Sequence, residues 1–296
     1  MKQDIRKTEL KDGEIIPLNF DFVFEAIFTK KENIDILESF LACYFDIDIS
    51  KIKGKLKILP RELILENKKV KNKQIDLLLE LEEETINIEL NNRGSKGIVD
   101  RNIVYACNVH SRSLKYGDTN YSEIKKTIQI NLNVKSSNIE LKEQYFLKNK
   151  KGKILSEKLE IDNLDMVLGR KICYNDYSNK LARWCTVLTA KTEEEFRKYL
   201  GDDLMEKETK SKLMDETMKY SNDEDVVALY FEKSREELEY NTLIVEARQD
   251  GITQGIKQGS INKSIEIAKK MFEEKIPIET IMKITSLSKE EIEKLK

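Results

Sequence analysis

The chain has 296 residues, enough for one large domain or two smaller ones with cores of their own. Hydrophobic residues at 40% and charged residues at 36% suit a globular protein with a heavily charged surface, while a formal net charge of −2 leaves any attraction to polyanions to local patches. A single histidine excludes multi-histidine metal sites, and four dispersed cysteines without a C-x-x-C pair argue against a zinc ribbon or a disulfide framework.

The first ten residues are charged and lack an apolar segment, and no apolar run approaches the roughly 18–20 residues of a membrane span. The chain therefore reads as cytoplasmic, with no membrane partner. After a polar arm, Phe20, Phe24, Ile27 and Phe28 stand at helical spacing, and a second amphipathic helix is expected over Ile34–Phe45. Pro60 interrupts a strand-like stretch from Leu56 to Leu65, which suits a sheet edge or a bulge. Lysines 51, 53, 55, 57, 68, 69, 71 and 73 make this the most basic stretch, suited either to tracking phosphates or to guarding an edge.

Two alternating strands follow, Gln74–Glu82 and Thr85–Asn91. A two-residue turn at Glu83 and Glu84 would set Asp76 opposite Asn91, Leu78 opposite Glu89 and Glu80 opposite Asn87. Ile75, Leu77, Leu79 and Leu81 then share a buried face with Ile86, Ile88 and Leu90, while Asp76, Glu80, Asn87, Glu89 and Asn91 gather on the other. In that register Asp76 and Glu89 are diagonal neighbours about 7–8 Å apart, within reach of a shared divalent cation. The same alternation also suits an amphipathic hairpin with a wet face.

A loop, Asn92 to Gly97, leads to a helix reaching about Tyr116. There His110 shares a stripe with Ile103, Cys107 and Leu114 and reads as a packed histidine, and Tyr105 reads mainly as core. A strand over Thr127–Val134 and shorter pieces near Tyr145–Leu147 and Leu159–Val167 come next. From about Tyr177 the pattern is helical, with Trp184 as a packing residue and capping boxes at Thr192/Glu195 and Ser288/Glu291.

Gln74-Ile75-Asp76-Leu77-Leu78-Leu79 followed by Asn87-Ile88-Glu89-Leu90-Asn91 resembles the recombination-promoting nuclease and putative transposase family of the PD-(D/E)XK superfamily. So do Asp21–Phe28, the helix from Arg101 to Tyr105 with Tyr116-Gly117-Asp118 and Thr127–Leu132 after it, and a tail with Gly251, Gly255 and Gly259 at four-residue steps. Residues 135–245 contribute little to the likeness. The resemblance implies an α/β, restriction-endonuclease-like core, a mixed sheet flanked by helices, with a helical C-terminal region. It implies a metal-dependent DNA endonuclease linked to recombination or mobile elements, with Asp76, Glu89 and the Leu90 carbonyl holding Mg²⁺ (or Mn²⁺ or Ca²⁺). Asp76, Glu89 and Asn91 would be the catalytic set, and Arg93, Lys96 and Arg101 would meet DNA. Asp21, Glu25 and Tyr105 are auxiliary candidates. The sequence departs from the pattern at Asn91, where Lys or Gln is usual, and at Glu25, where Lys is common; Glu25 suits a surface carboxylate better than a ligand.

The expected division is a core over 1–175, a helical extension over 176–245 and a helical tail over 246–296. Within the tail, three apolar faces (Ile265, Ala268, Met271 and Phe272; Ile278, Ile281 and Met282; Ile292 and Leu295) define a small helical unit. Its many glutamates favour packing or homo-oligomerisation over reading DNA. Two other readings remain: a DNA-binding regulator of the same fold that lost cleavage through Asn91, and an oligomeric interaction scaffold.

Overall fold

The computed structural model describes residues 8–63, 73–92, 97–113, 120–134 and 139–295. The chain divides into two compact units, Met1–Tyr230 and Phe231–Lys296. Arg93, Lys96, Leu114, Tyr116 and lysines 68, 69 and 71 lie outside the described residues.

The first unit is built on a six-stranded mixed sheet of order β1-β4-β5-β6-β8-β7. The strands are β1 (Leu56–Ile58), β4 (Leu77–Leu81), β5 (Glu84–Asn91), β6 (Lys126–Asn133), β7 (Lys142–Lys148) and β8 (Ile154–Asp165). A separate two-stranded ribbon joins β2 (Glu62–Leu63) to β3 (Lys73–Gln74). Strands β5, β6 and β8 run parallel, whereas β1, β4 and β7 pair antiparallel. Pro60 falls where β1 has ended, and β1 is the sheet's edge, as expected of a residue that cannot donate to a ladder.

One sheet face is apolar. Leu77, Leu79 and Leu81, Ile86, Ile88 and Leu90, and Ile128, Ile130 and Leu132 are buried in the main core. They pack with helices α1 (Asp21–Phe28) and α2 (Ile34–Phe45), where Val23, Phe24, Ile27, Phe28, Ile36, Leu37, Phe40 and Leu41 supply the apolar stripes that periodicity had marked. Asp46, in the left-handed region at φ 52°, ends α2. The opposite sheet face meets α3 (Ile98–Ser111).

Helices α4 (Met166–Asn175), α5 (Lys180–Thr189), α6 (Glu193–Tyr199) and α7 (Lys207–Ser221) complete the unit. The strand expected to run to Val167 stops two residues sooner, because the Asp165 carboxylate accepts the Leu168 N–H at 2.8 Å and starts α4. Trp184 on α5 is fully buried, edge-on to Phe40. At Thr192 only half the capping box forms: its hydroxyl accepts the Glu195 N–H at 3.2 Å, but the Glu195 carboxylate turns to Arg170 and Tyr174. The Ser288 box is complete.

Helix α8 runs from Glu224 to Glu273, and α9 (Ile278–Thr285) and α10 (Lys289–Glu293) end the chain. In the second unit the three expected faces converge on one small core of Ala268, Ile281, Leu287 and Ile292, ringed by Ile265, Met271, Phe272, Met282 and Leu295. Gly251, Gly255 and Gly259 lie within α8, and a Cβ at each would touch nothing within 4 Å. Each Gly→Ala change should therefore stabilise this helix by about 0.5–1 kcal/mol, read as a higher urea midpoint of helix loss. A fall instead would mean that something approaches the glycines closely. No helix among the described residues is long and apolar enough to cross a membrane.

Candidate active site

The hairpin β4–β5 builds the site, in a different register from the one expected. Leu81 pairs with Glu84 and Leu77 with Ile88, so the turn is Glu82-Glu83, with Glu82 at φ 46°. Residue numbers across the hairpin are shifted by an even amount, so the faces survive but the partners change. Asp76, one step before β4, falls opposite Glu89 rather than diagonal to it. A bend at Asp76 carries Ile75 off the apolar face, to pack instead with Leu78, Tyr105 and Val109 beneath α3.

The bend also explains how Asp76 is held. Its Oδ2 accepts the Leu90 N–H at 2.7 Å, a role a backbone carbonyl would fill in a continuing ladder. Its own N–H points at Glu89 Oε1 at 3.4 Å. Arg61 fixes the bend from behind, donating to the Asp76 carbonyl at 3.2 Å and pairing with Glu25. Glu25 thus anchors an arginine. Asp21 accepts from Asn92 Nδ2 at 2.7 Å and lies near enough to add negative potential at Asp76.

Both central carboxyls bind protons more tightly than usual. Burial, then the charge of Asp76, pushes Glu89 up to about 8, against the pull of Arg101 and Asn87. Burial raises Asp76 to about 6, opposed by the Leu90 N–H and by the charges of Arg101 and Arg61. Two carboxylates side by side, one half-buried and one buried, are a poor arrangement for the bare protein and a good one for a hard cation, whose oxygen donors they are. No group of three or more His, Cys, Asp or Glu that could hold a metal ion occurs among the described residues, so carbonyl and water oxygens would have to complete the shell.

Asn91, next on the same face, is 3% exposed and fully engaged: Nδ2 donates to Asn133 at 2.8 Å and Oδ1 accepts from Arg101 Nη2 at 2.5 Å. The positive charge that a lysine would bring at this position comes from α3 instead. Arg101 also lies over the Tyr105 ring at 5.7 Å, and its Nε is buried without a hydrogen-bond partner. Tyr105 is nearly buried, as expected of a packing residue.

Other expectations need correction. His110 is half-buried, with Nδ1 3.0 Å from Thr127 Oγ1, but the stripe proposed for it is not the buried one. Ile103 and Cys107 are exposed, and α3 buries Asn102, Tyr105, Ala106 and Val109. In the Lys51–Lys73 stretch, Lys53, Lys55 and Lys57 are bridged to Glu206, Glu82 and Glu80.

One feature of the site escaped the sequence reading. Behind Glu89 runs a chain of buried amides: Asn87 Nδ2 reaches Glu89 Oε1 at 3.3 Å and Gln129 Oε1 at 2.7 Å, Gln129 donates to Asn131 at 3.0 Å, and Asn131 donates to Asn163 at 3.0 Å. The signal was present in β6, where Thr127, Gln129, Asn131 and Asn133 alternate with Ile128, Ile130 and Leu132.

A mixed sheet flanked by helices, presenting an Asp and a Glu-x-Asn run from adjacent strands, is the frame of a restriction-endonuclease-like nuclease. The chain belongs to the PD-(D/E)XK nuclease family transposases, which it matches over residues 18–247. Residues 262–296 match the C-terminal helix-turn-helix domain of the Rpn/YhgA-like nuclease family, a DNA-binding class that the glutamate-rich surface of this unit had argued against. No curated protein and no solved structure matches the chain.

Proposed function

We propose that the protein is a divalent-metal-dependent DNA endonuclease that hydrolyses phosphodiester bonds, in keeping with its family's link to recombination and mobile elements. The observation that carries this reading is the pair of Asp76, half-buried, and Glu89, buried, opposite one another and held by backbone contacts. In this reading the two carboxylates and the Leu90 carbonyl hold Mg²⁺, or Mn²⁺ or Ca²⁺ in its place. A cation bound there lowers the pKa of a ligated water and polarises the scissile phosphate. Arg101, steadied by Asn91 and Tyr105, faces the charge that develops on the phosphate, and Asn91 sets the guanidinium's position. Arg93 and Lys96, just before α3 in the sequence, are proposed phosphate contacts. The helix-turn-helix match supports DNA as the partner.

Supercoiled plasmid incubated with Mg²⁺, Mn²⁺ or Ca²⁺ tests this. Nicking should occur with at least one ion, stop with chelator, and disappear in Asp76→Ala and Glu89→Ala while circular dichroism stays native. Cleavage that survives both substitutions, or no cleavage of DNA under any metal and pH, sinks the reading. Salt-sensitive DNA binding without cleavage would favour a regulator of the same fold, which the fully engaged Asn91 makes the second reading.

A further inference from the structure

The hairpin joining β7 to β8 carries Lys148, Lys150, Lys151 and Lys153 within six residues, and no acidic residue lies between Glu143 and Glu157. All four lysines are exposed. Eight other lysines of this unit, Lys30, Lys53, Lys55, Lys57, Lys125, Lys126, Lys210 and Lys212, each meet a carboxylate. Among the described residues, the four of the hairpin meet none; Lys148 lies over the Phe146 ring and the other three point to solvent.

The tip is shaped rather than slack. Asn149 Oδ1 accepts the N–H groups of Lys151 and Lys153 at 2.9 and 3.0 Å, the Asn149 N–H meets the Lys153 carbonyl at 3.0 Å, and Gly152 takes φ 82°. A lysine row can also protect an edge strand from pairing. Here, however, three of the four lie in the turn beyond β7, where there is no edge to guard. Leu155, 81% exposed, and Tyr145, half exposed, add apolar surface beside them.

The placement relative to Glu89 follows from the register. Glu89 is level with Asn131, and Asn131 with Asn163. Tyr145 pairs with Ile161, so it lies on the sheet face that carries Asn163, Asn131 and Glu89. Lys153 precedes Asn163 by ten residues on the chain, at most about 33 Å at about 3.3 Å per residue. That bound does not exceed one turn of B-form DNA, about 34–36 Å.

We propose that the β7–β8 hairpin is an arm that grips the phosphate backbone of DNA within about one helical turn of the Asp76–Glu89 pair. The inference takes its nucleic-acid partner from the proposed function but does not depend on the carboxylates. Its contacts are charge to phosphate, so the arm adds affinity without sequence preference.

The test uses the full chain carrying Asp76→Ala, so that substrate is not consumed, and a fluorescent duplex of about two helical turns. Fluorescence anisotropy is followed over a salt series with and without Lys150→Ala, Lys151→Ala and Lys153→Ala together. The triple substitution should raise Kd about tenfold near 0.1 M salt. It should also flatten the plot of log K against log salt by up to about 3, given a slope of about 0.9 per phosphate neutralised. The thermal midpoint should not move, since these side chains are exposed and the bonds that shape the tip are made by backbone groups and Asn149. An unchanged Kd and slope overturn the arm while leaving plasmid cleavage, and the nuclease reading, intact. Loss of binding to phosphatidylserine vesicles with DNA binding unchanged assigns the lysines to anionic lipid and overturns it as well. If the protein neither binds nor cuts DNA, both readings fall together.

Discussion

Replacing Glu89 by glutamine should raise the melting temperature of the metal-free protein at pH 8 while abolishing DNA cleavage. The carboxyls of Asp76 and Glu89 are pushed up to about 6 and about 8 from ordinary values of 3.8 and 4.5, first by burial and, at Glu89, next by the charge of Asp76. A carboxyl whose folded pKa is raised contributes its stabilisation while protonated. That contribution is complete below about pH 4 and is lost as pH rises through the folded values, between about 6 and 8. The metal-free wild type should therefore weaken from pH 5 to pH 8, and the glutamine variant should weaken less. At about 1.4 kcal/mol per unit of pKa, and given that removing one charge also relieves the other, the gain at pH 8 should be about 1–3 kcal/mol. Thermal melts in chelator at pH 5 and pH 8 measure it. Adding Mg²⁺ or Mn²⁺ should raise the wild-type midpoint at pH 8 and leave the variant nearly unmoved. A lower midpoint for Glu89→Gln at pH 8 would mean that this carboxylate is satisfied by the protein itself and is not held ready for a cation.

Arg101→Ala should cut the single-turnover nicking rate by about 10²–10³, the usual cost of removing one donor aimed at developing charge. The reason is the substitution pattern at the site: Asn91 brings no charge, and the guanidinium that hydrogen-bonds it is the nearby cation that lowers the pKa of both Asp76 and Glu89. Arg101→Lys keeps the charge but not the planar fork, and should recover only part of the rate. The sharper test is compensation. Asn91→Lys restores a cation on β5, so in the Arg101→Ala background it should return at least tenfold of the lost rate. If Asn91→Lys rescues nothing and both variants melt early, Arg101 is a packing residue against Tyr105 rather than part of the chemistry.

Much of this site could be read from residues alone, because its faces follow from alternation. Leu77, Leu79 and Leu81 against Ile86 and Ile88 could only be buried, which left Asp76, Asn87, Glu89 and Asn91 on the other side. The register could not be read so well. Glu82, Glu83 and Glu84 are alike, and nothing in a glutamate announces the left-handed backbone that Glu82 adopts in place of the usual Asn or Gly. The bend at Asp76 was equally hidden, since it depends on the Leu90 N–H and on Arg61, fifteen residues earlier. Arg101 was legible as a helix residue near the loop, but its bond to Asn91 depends on how α3 lies on the sheet. The lower end of β8 is not legible in the sequence, because Ile154-Leu155-Ser156-Glu157-Lys158 does not alternate apolar with polar residues.

The row of amides behind Glu89 has a consequence for how the chain finds its arrangement. A tight hairpin can set the pairing of β4 with β5, but β5, β6 and β8 are parallel neighbours joined through long excursions, so no turn counts residues for them. Sliding β6 by one position would bring Ile128 or Ile130 to face Asn87 and would leave several buried amides unsatisfied, at about 1–3 kcal/mol each. Because each amide passes its N–H onward in one direction, none can turn over without its neighbours turning too. The row thus works as a combination lock on strand alignment: only one setting of three strands carries the donor chain unbroken from Asn87 to Asn163, and that setting is also the one that brings Glu89 level with Asn131.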